Sequence, residues 1–446
     1  MRARLLWKAS EEVSIFDWIA GICSASVVER RFSVKFAPAM LQINAERLWA
    51  SLMELARIGA TPKGGVRRLT LSDVDRQGRD LFVRWCTEAG LAIEVDRIGN
   101  VFARRPGTDA ALPPVAMGSH LDSQPSGGKF DGAYGVMAGL EVLRTLNDAG
   151  IRTRAPLEVV SWTNEEGSRF VPTLMGSGVF AGVFSLESIY ESKDVDGVTV
   201  RDALKQIGYA GNAASHALGA YFEAHIEQGP VLEETKTTIG VVLGALGQRW
   251  FDVAIAGQDS HAGPTPMETR KDALVAASRL VLEVNRIATA FPDYARGTVG
   301  FMQVKPNSRN VVPGEVRMTV DFRNAKDKTL SAMCDELDVS ISRVEKELRV
   351  KIEKKQVVYF PPSEFAADLV DSVRAGSKAL GYSHRDIVSG AAHDAVYMAR
   401  VAPTAMVFVP CEGGISHNEL ESARAEDLAA GCNVLLQAVL KKAGTA

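Results

Sequence analysis

The sequence contains only five cysteines among its 446 residues, and no two of them form a Cys-x-x-Cys pair. They lie far apart, at Cys23, Cys86, Cys334, Cys411 and Cys432. An odd number of widely spaced cysteines argues against a disulfide framework and favours a reducing compartment. The sequence therefore predicts a cytoplasmic protein in which Cys411 is a packed thiol without a chemical role.

Long apolar segments and a surplus of basic residues are also missing. No apolar run approaches the roughly 20 residues that a transmembrane helix needs. The strongest candidate, residues 18–28, is short and follows acidic residues, unlike a secretory signal. With 51 basic and 54 acidic side chains the net charge is -3, whereas nucleic-acid-binding proteins usually carry a basic surplus. We therefore expect neither a membrane nor a nucleic acid as a partner.

Hydrophobic patterning predicts an α/β fold built from separate segments. Residues 1–39 carry no recognisable chemistry and are interpreted as a tail or appendage. Strands and helices alternate through residues 40–247 and 357–446, which predicts a larger domain with a mixed or parallel sheet. Residues 248–356 predict a smaller inserted α+β sandwich, which includes a strand over 298–304 and a helix over 331–350. Residues 357–362 are expected to return the chain to the larger domain.

Histidine is scarce as well, and several of the seven histidines lie in polar, glycine-rich stretches beside acidic residues. His120 follows a predicted strand over residues 115–118, and strand ends are where α/β sheets place their functional sites. Asp122 is expected to accept the second imidazole N–H of His120 and so to fix its tautomer. Asp131 precedes a helix predicted to begin at Gly135, where its alternative role is that of an N-cap.

Two further carboxylates, Glu165 and Glu166, stand at the end of a predicted strand over residues 157–163. Adjacent side chains point apart there, so one is placed to bind a metal ion and the other to face a bound water. A solvated acidic loop is the alternative interpretation. His225 and His417 complete a set of imidazole and carboxylate groups that suits zinc, with manganese, cobalt and nickel as alternatives.

In chain order these residues belong to a series of seven motifs: His-x-Asp, Gly-Gly-x-x-Asp-Gly, Asn-Glu-Glu-Gly, His-Ile-Glu-Gln-Gly-Pro, Ser-His-Ala-Gly-Pro, Asn-Val-Val-Pro-Gly and Ser-His-Asn-Glu. From about Ile43 to the C-terminus the sequence thereby resembles the hydantoinase/carbamoylase amidohydrolases. These cocatalytic zinc enzymes are related to aminoacylases and dipeptidase-like metallopeptidases. The family includes N-carbamoyl-L-amino-acid hydrolases, β-ureidopropionases and allantoate amidohydrolases.

The resemblance implies a centre of two divalent metal ions in each subunit. His120 and His225 would hold one ion, and Asp131 would bridge both. The second ion would be held by Glu166 and His417. Glu165 matches the general base of the family, which takes a proton from the water shared by the ions and passes it to the leaving nitrogen.

The resemblance also implies roles within the inserted segment, which would serve as a lid and dimerisation domain. His261 matches a histidine that stabilises the oxyanion in the partner's active site, which implies a homodimer. Asn310 and Arg323 match residues that bind the amide and the carboxylate of the substrate. Gln228 matches a residue that contacts its carbamoyl or amide end. Ala392 stands where the family often has glycine, and is expected to alter the substrate pocket.

The function that follows is hydrolysis of a linear amide or carbamoyl C–N bond in a small carboxylate-bearing substrate, first of all an N-carbamoyl-L-amino acid. An allantoate or ureidoglycolate amidohydrolase of purine degradation is the alternative. A non-catalytic binding or scaffold protein is disfavoured because Glu165 and all five ligand-type residues are present. His393 and Asp394 are expected to order their loop, and His216 and His384 to lie in surface segments.

Overall fold

The computed structural model describes residues 40–291 and 293–446. The tail predicted for residues 1–39, with Cys23 in it, lies outside the described residues. Strands and helices alternate from the start of the described chain, in the order α1 (Ala45–Leu55), α2 (Asp73–Glu88), β1 (Ala92–Val95), β2 (Val101–Arg105), β3 (Val115–His120), α3 (Ala133–Asp148), β4 (Leu157–Trp162), α4 (Met175–Phe180), α5 (Leu186–Tyr190), α6 (Val200–Ile207), β5 (Ala220–Ile226), α7 (Val231–Glu234) and β6 (Ile239–Ala245).

The middle of the chain is richer in strands. Its elements are β7 (Gly247–Ala256), β8 (Ser260–His261), α8 (Ala273–Ala290), β9 (Arg296–Thr298), β10 (Met302–Lys305), β11 (Val311–Val312), β12 (Glu315–Asn324), α9 (Asp327–Leu348) and β13 (Lys351–Phe360). The last part contains β14 (Ser363–Glu364), α10 (Ala367–Ala379), β15 (His384–Ser389), α11 (Asp394–Met398), β16 (Thr404–Val409) and α12 (Ala425–Ala443). Short 3-10 turns lie at Met267–Thr269 and Glu412–Gly414.

The larger sheet places its strands in the order β1-β2-β4-β3-β5-β16-β6-β14, with β15 also paired to β6. Its four central strands, β4, β3, β5 and β16, run parallel, whereas β2 and β6 flank them in the antiparallel direction. The central strands are buried along their whole length because helices such as α3 and α12 cover the sheet. The prediction of an α/β fold with a mixed sheet is confirmed.

The smaller sheet is antiparallel and places its strands in the order β10-β12-β7-β13, with β9 paired to β12. Helices α8 and α9 pack on one face, where every second residue of β7 is buried: Phe251, Val253 and Ile255. The residues between them are exposed along most of the strand. This is the predicted α+β arrangement of two helices on an antiparallel sheet.

Local predictions in this middle segment are wrong at three places. The strand predicted over residues 298–304 is split, since β9 and β10 pair with different parts of β12 and leave residues 299–301 between them. The helix predicted over 331–350 begins at Asp327 and ends at Leu348, because Arg349 adopts a left-handed conformation. Strand β13 stays paired with β7 as far as Phe360, so the predicted boundary after residue 356 falls inside a strand.

Side chains at helix starts explain where several helices begin. The Asn44 side chain accepts the N–H of Arg47 and caps α1. Helix α3 starts at Ala133 without a side-chain cap, so Asp131 does not play its alternative role as N-cap. Within the described ranges, no helix is both long enough and apolar enough to cross a membrane.

Candidate metal centre

Two histidines and one aspartate meet at the carboxyl edge of the larger sheet. His120 is the last residue of β3, His225 lies near the end of β5, and Asp131 lies in the loop that leads into α3. Asp131 Oδ1 is 3.6 Å from His120 Nε2 and 3.2 Å from His225 Nε2. All three side chains are buried, and their ligand atoms are close enough together to hold one metal ion.

A second group faces the other oxygen of the same carboxylate. His417 Nε2 is 3.4 Å from Asp131 Oδ2 and 3.3 Å from Glu166 Oε2. Glu166 follows β4, whereas His417 lies in the loop after β16 and keeps 53% of its side chain exposed. The two oxygens of Asp131 therefore face two separate sets of potential ligands.

Main-chain carbonyls fix the two buried imidazoles. His120 Nδ1 lies 2.9 Å from the carbonyl oxygen of Asp122, and His225 Nδ1 lies 2.9 Å from that of Ile226. With Nδ1 donating its proton to these carbonyls, Nε2 of each ring has the lone pair that a metal ligand needs, and that of His225 also accepts the main-chain N–H of Gly132 at 3.3 Å. The predicted role of Asp122 is therefore corrected: its main chain, not its carboxylate, accepts the imidazole proton.

The Asp122 carboxylate instead holds the glutamate pair. Its two oxygens accept the main-chain N–H groups of Glu165 and Glu166, each at 3.3 Å. Glu165 Oε2 lies 3.5 Å from His120 Nε2, and both glutamates line the same cavity. Asp131 and Glu166 thus stand among the predicted ligands, whereas Glu165 lines the cavity beside His120.

Residues of the smaller sheet and of a neighbouring loop complete this cavity, which has a volume of about 450 Å³. Arg323 lines it from β12 and donates to both oxygens of Asp321 (2.9 Å at the closest) and to the carbonyl of Gly390 (3.3 Å). Gln228 donates to Asp131 Oδ2 at 2.9 Å, and Ala392 lies on the wall.

The other two residues predicted to act from the inserted segment are elsewhere. His261 and Asn310 are exposed on the short β8–β11 pair and lie beside each other, since the main-chain N–H of Ala262 donates to the Asn310 carbonyl at 2.9 Å. Neither residue lines the cavity, whose wall includes Arg323, Asp131, Glu166 and His417. Within one chain, His261 and Asn310 thus lie close to each other but away from the candidate metal centre.

Comparison with known proteins agrees with this geometry. Residues 116–441 match the sequence profile of peptidase family M20/M25/M40. The chain belongs to this family. It is 48% identical over 404 residues to an N-carbamoyl-L-amino-acid amidohydrolase of Rhizobium meliloti, a match that spans 90% of this chain and 97% of the relative. An allantoate amidohydrolase of Bacillus subtilis is 34% identical over 395 residues, 87% of this chain and 95% of the relative.

Solved structures give the same result. A hydantoinase/carbamoylase family amidase from Burkholderia multivorans superposes with a TM-score of 0.88 at 55% identity, over 90% of this chain and 98% of that one. The predicted resemblance, fold and hydrolase activity are thereby confirmed for this member of the M20/M25/M40 family.

The buried carboxylates of the candidate metal centre favour binding of cations. Burial raises the pKa of Glu165 well above its usual range, and burial beside Asp131 raises the pKa of Glu166 to about 8. Burial also opposes ionisation of Asp131, but contacts with His120 and His225 lower its pKa well below the usual range. Three carboxylates at such close quarters repel one another unless positive charge lies between them. The donor set therefore fits divalent metal ions.

Several polar residues that support the candidate metal ligands do not stand out in the sequence. Gln124 donates to Glu166 through its main-chain N–H (3.0 Å) and its side-chain amide (2.6 Å). Ser416 donates toward Asp131, and Glu421 accepts main-chain N–H groups of the loop that carries Asp131. All three lie within four residues of a predicted ligand or metal-site residue, but no local pattern shows which distant group each one contacts.

The loop of His393 and Asp394 lies beside His225. The ring centroids of His393 and His225 are 4.5 Å apart, and His393 Nε2 is 2.9 Å from Ser389 Oγ. Burial, with His225 next to it, lowers the pKa of His393 well below its usual value, so the ring is neutral. Asp394 bonds to Ser177. These contacts support the prediction that both residues order the loop.

Two further residues, His216 and Cys411, lie outside the metal-ligand set. His216 was predicted to lie in a surface segment, but it is half-buried between Phe102 and Phe180, and its Nε2 is 2.9 Å from the buried Glu158. The segment lies at the surface as predicted, with Ala214 and Ser215 exposed, and the ring itself packs inward. Cys411 is buried, and burial raises the pKa of its thiol to about 11, which agrees with the predicted packed thiol.

Proposed function

We propose that this protein hydrolyses the carbamoyl C–N bond of N-carbamoyl-L-amino acids and releases the free amino acid, carbon dioxide and ammonia. The observation that carries the proposal is the carboxylate of Asp131, whose two oxygens face two separate sets of ligand groups. The name of the Rhizobium meliloti relative, at 48% identity over nearly its full length, supports the choice of substrate.

The proposed cofactor is a pair of divalent ions in each subunit, with zinc the first choice for this mixture of imidazole and carboxylate ligands. His120 and His225 would hold one ion, Glu166 and His417 the other, and Asp131 both. Bound there, the ions supply Lewis-acid chemistry, which polarises a carbonyl group and lowers the pKa of water. The variant Asp131→Ala should lose more metal than a variant of His120 or His225, because Asp131 would hold both ions. Elemental analysis of the purified variants would measure the metal content.

Glu165 is the proposed general base. Its carboxylate faces the cavity beside His120. The main chain of Glu165 is fixed because its N–H donates to the Asp122 carboxylate. It accepts a proton from the attacking water and delivers it to the leaving nitrogen, because an amide nitrogen must be protonated before it departs.

The substrate is bound from both sides of the cavity in this proposal. Gln228 contacts the carbamoyl end close to Asp131, and the guanidinium of Arg323 pairs with the carboxylate. The wall at Ala392 limits the space for the amino-acid side chain. The segment of residues 248–356, with the rest of β13, then acts as a lid whose closure excludes water.

A homodimer with shared active sites completes the proposal. His261 and Asn310 are exposed and lie away from the cavity of their own chain, which leaves them free to reach that of a partner. Mixing inactive Glu165→Gln protein with inactive His261→Ala protein should restore about a quarter of wild-type activity, because half of the dimers are mixed and each contains one intact site. If subunits exchange and no activity returns, His261 does not act in the partner's site.

A substrate panel tests the reaction itself. Ammonia release would be measured with N-carbamoyl-L-amino acids, N-carbamoyl-β-alanine, allantoate and ureidoglycolate, on protein of known metal content. The alternative function is hydrolysis of allantoate or ureidoglycolate, which the Bacillus subtilis relative at 34% identity supports. Turnover of N-carbamoyl-L-amino acids above all others supports the proposal, and preference for allantoate or ureidoglycolate would replace it by this alternative.

A further inference from the structure

Glu421 is a buried carboxylate that joins the two loops carrying Asp131 and His417. Only 1% of the residue is exposed. Its Oε1 accepts the main-chain N–H groups of Phe130 at 2.8 Å and of Asp131 at 3.1 Å. A carboxylate that accepts two main-chain donors fixes the backbone of the loop at the residue whose side chain faces both ligand groups.

The other oxygen of Glu421 continues the connection to the side chain of Asp131. Ser416 Oγ, in the residue before His417, lies 3.2 Å from Glu421 Oε2 and 3.1 Å from Asp131 Oδ2. Gln228 donates to both Ser416 Oγ (3.0 Å) and Asp131 Oδ2 (2.9 Å). The single proton of the Ser416 hydroxyl serves one of the two carboxylate oxygens at a time, and Gln228 donates to both Ser416 and Asp131, so these contacts connect the loops of Asp131 and His417.

The fit around Glu421 is close, and no basic side chain takes part in it. A methyl group added at Gly128 would lie less than 3.0 Å from all three carboxyl atoms of Glu421. Within the described part of the chain, no lysine, arginine or histidine forms an ion pair with Glu421. Its contribution is therefore that of a hydrogen-bond acceptor placed between two loops.

We propose that Glu421 is a positioning residue that holds the Asp131 carboxylate toward His417, so that the metal ion on the His417 side depends on it. This rests on the metal assignment proposed above. His120 and His225 lie on buried strands, and main-chain carbonyls orient their rings. His417 is half exposed on a loop, so its place beside Asp131 depends on the contacts made by Ser416 and Glu421.

The test compares zinc binding to the full-length wild type and to four variants. Each protein would be stripped of metal, equilibrated by dialysis at a series of free zinc concentrations and analysed for bound zinc. For Glu421→Ala we expect one tightly bound ion and a 10- to 100-fold weaker second one, the usual effect of removing a residue that orients a ligand. Glu421→Gln should bind two ions nearly as tightly as the wild type, because its amide oxygen still accepts both N–H groups and its NH₂ donates to Ser416.

The remaining two variants separate the hydrogen-bond connection from general loss of structure. Ser416→Ala removes the bridging hydroxyl and leaves both main-chain N–H groups bonded, and should weaken only the second ion. Glu412→Ala is the matched control, since Glu412 is an exposed carboxylate in the same loop and outside the motif of His417, and should bind two ions as the wild type does. Cobalt loading, followed by visible absorption, reports the same two steps independently of zinc analysis.

Three results would overturn the role of Glu421. These are two tightly bound ions in Glu421→Ala, a loss in Glu421→Gln as large as in Glu421→Ala, and an unchanged second ion in Ser416→Ala. Wild-type protein that binds fewer than two ions would refute the proposed metal centre instead, before any variant is considered.

Discussion

Gly132 offers a test of the metal centre that changes no candidate ligand. It lies between Asp131 and helix α3, with φ at +63° and ψ at -50°, a conformation in which a residue with a side chain is strained. A methyl group built on it would lie less than 3.0 Å from three atoms of the His120 ring. The ring has little freedom to retreat, since it is buried and its Nδ1 is bonded to the Asp122 carbonyl at 2.9 Å.

We expect Gly132→Ala to have two separable effects. The backbone conformation alone should cost about 1–3 kcal/mol of the free energy of unfolding. Displacement of His120 should weaken metal binding about 10- to 100-fold, the range seen when a ligand loses its orienting contacts. Urea denaturation would measure the first effect, and equilibrium dialysis against buffered zinc the second.

Gly150 provides the matched control for this substitution. It has the same φ of +63°, but an added methyl group would meet nothing within 4 Å. Gly150→Ala should therefore lower stability by about 1 kcal/mol and leave metal affinity unchanged. If Gly132→Ala also bound metal with wild-type affinity, the close approach of Gly132 to His120 would not matter and the reasoning would be refuted.

Three further predictions concern single side chains. Glu165→Gln should fold normally and keep its metal, but turnover should fall at least about a hundredfold, since the general base is lost; near-normal turnover would assign the base elsewhere. Arg323→Lys should raise KM about tenfold or more for a carboxylate-bearing substrate and leave KM unchanged for its amide derivative, because lysine lacks the planar fork; an equal rise for both would contradict the carboxylate contact. The hydrogen bond to Glu158 raises the pKa of His216 above its usual 6.5, so the stabilisation is complete below that pH and is lost as pH rises through the folded-state pKa. The loss of unfolding free energy in His216→Asn should thus be largest near pH 5.5, at about 1 kcal/mol, and should shrink at alkaline pH. Urea titrations that give the same difference between wild type and variant at every pH in this range would disprove the ion pair.

The identities of the candidate ligands could be predicted from the sequence because each lies in a short motif. His120, Asp131 and His417 lie in glycine-rich or polar stretches that are recognisable from the local sequence. The order of the motifs along the chain then indicates the family and with it the ligand set. Their meeting at one edge also follows from sequence, since alternating strands and helices predict parallel strands whose carboxyl ends coincide. The structure brings all five ligand candidates together there.

What the sequence could not predict depends on long-range contacts. Glu421 meets the main chain of Phe130, which lies 291 residues away, and no local pattern encodes such a pair. The choice between the carboxylate and the carbonyl of Asp122 depends on backbone torsion angles at a strand end. The boundary of the inserted segment, predicted after residue 356, depends on pairing with β7, which continues to Phe360 across a shift in register between Gln356 and Val358.

The position of β16 has a consequence for biosynthesis. This strand inserts between β5 and β6, although both precede it by more than 150 residues along the chain. Until residues 404–409 leave the ribosome, the larger sheet is divided into two parts that have no strand between them. Asp131 and the histidines on β3 and β5 are made long before His417 and Glu421. The metal ion proposed on the His417 side can therefore bind only after the last strand of the sheet has been made, long after synthesis of the first candidate ligands.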